Sequence, residues 1–306
     1  MKKDPAHLKF DSIAEAHRAF GLPEPKHPLI SLISGVMGEN IRTPGGTHVL
    51  NFYKISFNPR LSSRVKYGQG YYDFNEGGML FASPHQIVGS DEDEPTPAEC
   101  SLMTLIIHPD FLLGYPLAQE IKQYGFFSYS TREALLLSQE EKDTIVSLFN
   151  MIETELNSRI DDFSQDVVIS QIALLLNFSN RFYKRQFITR KVVNHDVLAQ
   201  VEAYLDDYLS QGNPLTSGIP SVQSLAGQVN LSPNYLSDLL RLHSGRNAQQ
   251  LIQDKLIEKA KDLLSTTNLS VSEIAYQLGF DYSQSFSRLF KTKMEMSPLE
   301  FRRSFN

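Results

Sequence analysis

Cysteine is nearly missing from this chain: Cys100 is the one thiol in 306 residues. That excludes an intramolecular disulfide framework and fits a reducing compartment. No stretch approaches the roughly 18 apolar residues that a membrane span requires. The opening MKKDPAHLKFD has no hydrophobic signal core. A cytoplasmic, unanchored protein is expected, with no membrane partner. Catalytic signatures are equally scarce. There is no G-x-S-x-G elbow, no Gly-rich phosphate loop and no H-x-H pair, and His48, His85 and His108 stand isolated. No enzyme activity, catalytic residue, metal or cofactor is therefore expected. Positive charge is also in short supply, with Lys and Arg at 29 against Asp and Glu at 35. A net charge of −6 is not the global signature of a nucleic-acid binder.

What the chain does have is an internal repeat. SVQSLAGQVNLSPNYLSDLLR, from Ser221 to Arg241, is answered by SVSEIAYQLGFDYSQSFSRLFK, from Ser270 to Lys291. In each copy a serine, Ser221 or Ser270, is placed to cap a helix by accepting from a first-turn amide. A Leu-Ala or Ile-Ala pair follows, Leu225-Ala226 and Ile274-Ala275, where the small residue lets a second helix cross closely. A turn comes next, at Asn230-Leu231 and at Gly279-Phe280. The second helix then buries Leu236, Leu239 and Leu240, or Phe286, Leu289 and Phe290, at i, i+3, i+4 spacing. The opposite face is left free. It holds Asn234, Ser237, Asp238 and Arg241 in the first copy, and Ser283, Gln284, Ser287, Arg288 and Lys291 in the second, side chains that can bond base edges and phosphates.

Between the copies, AQQLIQDKLIEKAKDLL predicts one continuous helix from about Ala248 to Leu264. About 17 residues at 1.5 Å each give roughly 25 Å. Such a helix suits two recognition helices held about one DNA turn, roughly 34 Å, apart. The local charge also turns: Arg241 to Asn306 carries ten Lys/Arg against seven Asp/Glu, and RFYKRQFITRK, Arg181 to Lys191, adds five basic residues and no acid.

On these residues the C-terminal hundred positions resemble the AraC/XylS family of bacterial transcription regulators. The likeness is greatest from Ala260 to Arg302, in A-x-x-L-L-x-x-T, S-V-x-E-I-A, L-G-F, S-F-S-R-L-F-K and S-P-x-x-F-R. The resemblance implies an all-α DNA-binding domain of two helix-turn-helix units joined by a long helix. Asn234, Ser237, Asp238, Ser283, Gln284, Ser287 and Arg288 would contact bases, and Ser221, Ser232, Arg241, Ser270 and Lys291 phosphates. Its implied partners are double-stranded DNA, a second copy of the chain, a small-molecule effector and RNA polymerase. Five positions depart from the family pattern. Glu295 replaces a glycine after the second recognition helix, Asn247-Ala248 replaces Ser-Pro, Lys255 replaces an arginine, and Asp238 places an acid on the first recognition helix.

The first 190 residues read differently. From Pro28 to about Pro109, short apolar or alternating runs (LISLIS, THVLNFYKISF, GMLFAS, HQIVG, SLMTLIIHP) lie between Gly and Pro turn signals. Such spacing predicts an all-β sandwich or barrel. The resemblance implies a cupin-like barrel that senses a small molecule. Phe52, Tyr53, Phe57, Tyr67, Tyr71, Tyr72, Phe74 and Phe81 are either pocket lining or plain core. DEDEP, Asp91 to Pro95, reads as a solvated loop. Period 3.6 then takes over: a short helix near Leu117 to Tyr124, one capped by Ser138 with Glu141 as a capping box, and one from about Ser164 to Lys184. These helices either cover the barrel or pair with a second subunit.

The fold expected is α+β and multidomain. A sensor and dimerisation domain spans 1–186, with its barrel about 28–109 and its helices about 116–186. A basic linker follows at 187–196, and a DNA-binding domain at 197–306. The function expected is a DNA-binding regulator, effector-controlled and able to act as an activator. A dimerisation-only barrel and a cupin-type metal enzyme stand as the alternatives.

Overall fold

The computed structural model describes residues 8–36, 47–59, 63–67, 70–74, 77–89, 101–130, 133–158, 163–189, 191–210 and 213–304. The chain divides into two compact units, Met1–Thr189 and Arg190–Asn306.

The first unit opens with β1 (Leu8–Phe10) and α1 (Ile13–Ala19). Ser12 caps α1 and Glu15 closes a capping box. Next come β2 (Ile30–Val36), β3 (Thr47–Leu50), β4 (Tyr53–Asn58), β5 (Ser63–Tyr67), β6 (Gly70–Phe74), β7 (Gly78–Ala82), β8 (Ile87–Gly89) and β9 (Ser101–Ile107). After a short helix α2 (Leu117–Glu120), flanked by 3-10 turns, and a two-residue β10 (Leu135–Leu136), the unit ends with α3 (Gln139–Asn157) and α4 (Ser164–Thr189). Among the described residues the strands form three sheets, ordered β1-β3-β8, β10-β7-β4-β9-β2 and β5-β6.

The cupin-like barrel expected over 28–109 is thus not closed among the described residues. Closure needs every edge strand to find a neighbour, and the five-stranded sheet ends instead at β2 and β10. The edge beside β7 is taken by Leu135 and Leu136, which lie beyond the expected barrel. β1 adds to β3 in parallel, an N-terminal strand that lies before the span in which strands were expected.

The five-stranded sheet has two different faces, because side chains alternate along a strand. Tyr53, Ile55 and Phe57 of β4 share one face with Met79, Phe81, Leu105 and Ile107, all buried. Phe126, Phe127 and Tyr183 cover that face, with ring centroids 4.5, 5.5 and 6.1 Å from Phe81. The aromatics Phe52, Tyr53, Phe57 and Phe81 are therefore core, whereas the side chains of Tyr67, Tyr71, Tyr72 and Phe74 lie outside the described residues. On the opposite face Phe10, Ile13, Ala16, Leu50, Phe52 and Ile106 make a smaller apolar cluster. Cys100 and the acidic run 91–95 also lie outside the described residues.

The helices follow the apolar periodicity. Ser138 and Glu141 form the expected capping box on α3, which buries Ile145, Leu148, Phe149 and Ile152. α4 runs five residues past Lys184, to Thr189. Its end is pinned to β10: Gln186 Oε1 accepts from Leu136 N at 2.8 Å, and Arg185 donates to Leu136 O at 2.7 Å and pairs with Glu141. The expected basic linker at 187–196 consequently falls in the end of α4 and the start of α5 (Lys191–Ser210), with residue 190 outside the described residues.

The second unit continues with α6 (Asn213–Ser217), α7 (Val222–Gln228), α8 (Pro233–Ser244), α9 (Ala248–Thr266), α10 (Val271–Gln277), α11 (Ser283–Met294) and α12 (Pro298–Arg303). One apolar core joins them, from Val201 and Leu205 of α5 through Leu236, Leu240, Ile252 and Leu256 to Phe286, Phe290 and Phe301. No helix among the described residues is long and apolar enough to cross a membrane.

Candidate nucleic-acid interface

Each repeat folds as a helix-turn-helix, α7–α8 and α10–α11, and the two share a hydrogen bond that closes their turns. Leu231 N donates to Ala226 O at 3.0 Å, and Phe280 N donates to Ala275 O at 3.0 Å. Both turns need a left-handed residue, Asn230 at φ 54° and Gly279 at φ 84°. Asparagine and glycine are the two types that take this conformation most readily. The second turn is one residue longer: Asn230 matches Gly279 at a spacing of 49, and Leu236 matches Phe286 at 50. The extra residue changes the start of the recognition helix. Ser232 caps α8 by accepting from Tyr235 N at 3.3 Å, whereas Tyr282 opens α11 with no side-chain cap.

The outward faces carry the residues singled out from sequence. On α8, Asn234 is exposed, and Ser237 and Asp238 are half-buried. Asp238 accepts from Arg241 at 2.7 Å, so a residue expected on a base and one expected on a phosphate are paired with each other. On α11, Gln284 and Arg288 are exposed, and Ser283 and Ser287 are half-buried. The Arg288 guanidinium has no hydrogen bond or ion pair among the described residues. Lys291 is exposed one turn further on.

The two helix starts differ. Ser221 Oγ accepts from Ser224 N at 3.0 Å, with no acid in the first turn of α7. Ser270 Oγ likewise accepts from Glu273 N at 3.2 Å, but the Glu273 carboxylate bonds back to Ser270 N at 2.7 Å. Those bonds to Ser270 hold the Glu273 carboxyl below its usual pKa. An anion therefore already sits at the start of α10, where the helix dipole would favour one.

Between the units, α9 has 19 residues, about 28 Å at 1.5 Å per residue. Asn247 caps it with Gln250 in a capping box, so the departure from Ser-Pro keeps the helix start. Lys255, in place of the family's arginine, donates to Asp206 of α5 at 2.8 Å. Sequence reasoning missed Asp254. Its carboxylate takes Lys293 of α11 at 2.8 Å and Arg246, just after α8, at 3.0 Å. One acid on the linking helix thus holds both helix-turn-helix units. An acid among the apolar positions of a long helix marks the residue, but its two partners, 8 and 39 positions away in sequence, cannot be read from that pattern.

Metal chemistry finds no frame in what is described. Among the described residues no group of three or more His, Cys, Asp or Glu side chains is placed to hold a metal ion. His108 follows β9 and accepts from Asp110 N, His85 lies in a turn, and His48 is buried.

A helix-turn-helix domain family matches residues 225–304. An uncharacterized HTH-type transcriptional regulator of Bacillus subtilis, YfiF, is 31% identical over 267 residues, 83% of this chain and 78% of its own length. The arabinose operon regulatory protein of Escherichia coli is 37% identical over 99 residues, 32% of each chain. The transcriptional activator RhaS of Salmonella agona is 26% identical over 249 residues, 78% of this chain and 83% of its own. Among solved structures, the C-terminal domain of the response regulator AraT of Geobacillus stearothermophilus shares 31% identity, covering 35% of this chain and 84% of that one at a TM-score of 0.31. These relatives are transcriptional regulators, not enzymes. With two helix-turn-helix units on one core and a relative matched over most of both lengths, the chain belongs to the AraC/XylS family of transcription regulators.

Proposed function

We propose that this protein binds double-stranded DNA sequence-specifically through α8 and α11, and that a small molecule held by the N-terminal unit controls the binding. The observation that carries the DNA half is the pairing of two like recognition helices on one core, with Asp254 clamping both units. Arg288 and Gln284 read bases from α11, with Ser283 and Ser287 beside them. Asn234, Ser237 and Asp238 do so from α8. Lys291, Arg241 and the capped starts at Ser221 and Ser232 meet phosphates. Of the two N-terminal helix starts, Ser221 is the better phosphate seat, because Glu273 already fills that of Ser270.

The charge distribution supports this reading, since the helix-turn-helix region carries a local excess of base within an acidic chain. Affinity then rests on directed contacts as well as phosphate neutralisation, and its salt dependence is moderate. Exposed Val167 and Leu174 on α4 and Met151 on α3 support homodimerisation through these helices, which would set two DNA-binding units on paired half-sites. Acting on DNA places the protein in the cytoplasm, within reach of RNA polymerase.

Selection of bound duplexes from a random DNA pool by the full chain tests the reading. The expected result is an enriched motif of two short boxes about one helical turn apart. No enrichment at low salt overturns it.

A further inference from the structure

The two recognition helices open on the same two residue types in exchanged positions. In α8 a serine, Ser232, stands at the cap and a tyrosine, Tyr235, follows three residues on; in α11 a tyrosine, Tyr282, stands at the cap and a serine, Ser285, follows three residues on. The first arrangement serves the fold twice. Ser232 Oγ accepts from Tyr235 N at 3.3 Å, and Tyr235 is buried, at 4% exposure.

The second arrangement gives up both. Tyr282 supplies no side-chain cap and is 67% exposed, and Ser285 is exposed as well. The Tyr282 side chain makes no hydrogen bond, and its ring meets no other ring, among the described residues. Serine is among the best residues at a helix N-cap and an aromatic is not. α11 therefore carries a local destabilisation that nothing in its own fold offsets, and departures of this kind gather at functional sites.

Position decides what the ring can reach. The N-terminal end of a recognition helix is the end that meets base edges in the major groove. Tyr282 stands two residues before Gln284 and six before Arg288, the exposed side chains assigned above to base reading, so it leads them at that end. The major groove presents donors and acceptors on every base pair and one apolar group, the C5-methyl of thymine. An aromatic ring left free by its own fold matches that methyl, as Gln284 matches an adenine edge and Arg288 a guanine edge.

We propose that Tyr282 is a specificity-determining residue whose ring packs on the C5-methyl of a thymine at the edge of the box read by α11. The inference rests on the DNA half of the function proposed above. The box under α8, where Ser232 keeps its cap, has no such requirement, so the two boxes differ at their edges.

The test uses the full chain and the duplex enriched by selection, with each thymine replaced in turn by deoxyuridine, which lacks only the methyl. At one position the exchange is expected to weaken binding about three- to fivefold, the effect of one buried methyl. Tyr282→Ser binds the parent duplex at least that much more weakly and is indifferent to the exchange at that position. Tyr282→Phe keeps the preference. The serine also restores the cap, so Tm rises by about 2 to 4 °C while specific affinity falls; a purely structural role would move the two together. The proposal is overturned if no exchange affects the parent, if Tyr282→Ser stays as sensitive as the parent, or if Tyr282→Ser lowers Tm. It is overturned too if Tyr282→Phe loses as much as Tyr282→Ser, which would assign the phenol hydroxyl to a phosphate. Failure to enrich any duplex is a separate result, which sinks the DNA reading itself and the proposal with it.

Discussion

Gly279 lies against the backbone of Gly218, so closely that a Cβ on Gly279 would sit 2.7 Å from the carbonyl carbon of Gly218 and 2.9 Å from the amide nitrogen of Ile219. The turn of the second helix-turn-helix thus packs on the segment joining α6 to α7. Tyr208 of α5 fixes that segment from the other side, donating to Gly218 O at 2.9 Å. Gly279 is also left-handed, at φ 84°. Alanine there meets both a clash and a strained dihedral, and Gly279→Ala is expected to cost about 2 to 4 kcal/mol. Gly227, within α7 with nothing within 4 Å of a built Cβ, is the control; Gly227→Ala is neutral or stabilises by up to about 1 kcal/mol. Urea unfolding of both variants checks the pair, and equal effects would refute the packing argument.

Arg288 is exposed on α11 with no partner among the described residues, whereas Arg241 on α8 is held by Asp238. The free guanidinium is the one expected to read a base. Arg288→Ala should weaken binding to the selected site by about 1 to 3 kcal/mol and relax the preference at one base pair. Fluorescence anisotropy with specific and random duplexes decides it. Equal loss on both would assign Arg288 to phosphate contact.

Asp254 holds Lys293 and Arg246 at once, so its removal should loosen one helix-turn-helix relative to the other more than it unfolds either. The pairs are partly exposed, and exposed pairs are worth little; Asp254→Ala is expected to cost about 1 kcal/mol of stability. Its larger effect is on spacing. The variant should lose discrimination between sites whose two boxes are one base pair closer or farther apart, as read by competition binding. Unchanged spacing preference would mean that the apolar core alone sets the geometry.

The second unit was largely legible in the sequence because its signals are local. Caps at Ser221, Ser270 and Asn247, the left-handed turn at Gly279 and the i, i+3, i+4 stripes of α8 and α11 all act within a few residues. The sheet unit was less so. Alternation marks strands but does not name their neighbours, so nothing in THVLNF says that β3 takes β1 in parallel. The missed helix α1 had its signal, the Ser12 to Glu15 capping box, just beyond the opening eleven residues read for targeting. Asp254 escaped because it is an ordinary charge until the chain brings distant segments beside it.

Glu295 takes the left-handed position that closes α11, at φ 60°, where Gly245 does the same for α8 at φ 72°. The Glu295 amide still donates to Lys291 O at 2.9 Å, so the cap is made despite the strain. Glu295→Gly removes the Cβ penalty and gives back part of the gain as chain entropy. A net stabilisation of about 0.5 to 1 kcal/mol is expected in chemical unfolding. Gly245→Ala should move stability the other way by a similar amount, and a destabilised Glu295→Gly would show that the glutamate side chain contributes a contact of its own.

His48 makes the fold of the N-terminal unit sensitive to acid. Burial, and then the charge of Lys54, hold its pKa at about 4 in the folded chain, against 6.5 for an ordinary histidine. Between those values the unfolded chain binds the extra proton and the folded chain does not, so stability rises with pH. The stability held at pH 7 is lost as pH falls through 6.5 toward 4. On the neighbouring elements, His17 of α1 is bonded to Pro23 O and Ser31, and Lys9 of β1 pairs with Asp11 and lies opposite Val49, on the other face of β3 from His48. His48→Leu should therefore melt with a flatter pH dependence than the parent between pH 6.5 and 4.5, measured as Tm by circular dichroism. An identical slope in both proteins would show that His48 gains a partner on protonation and that its burial carries no acid penalty.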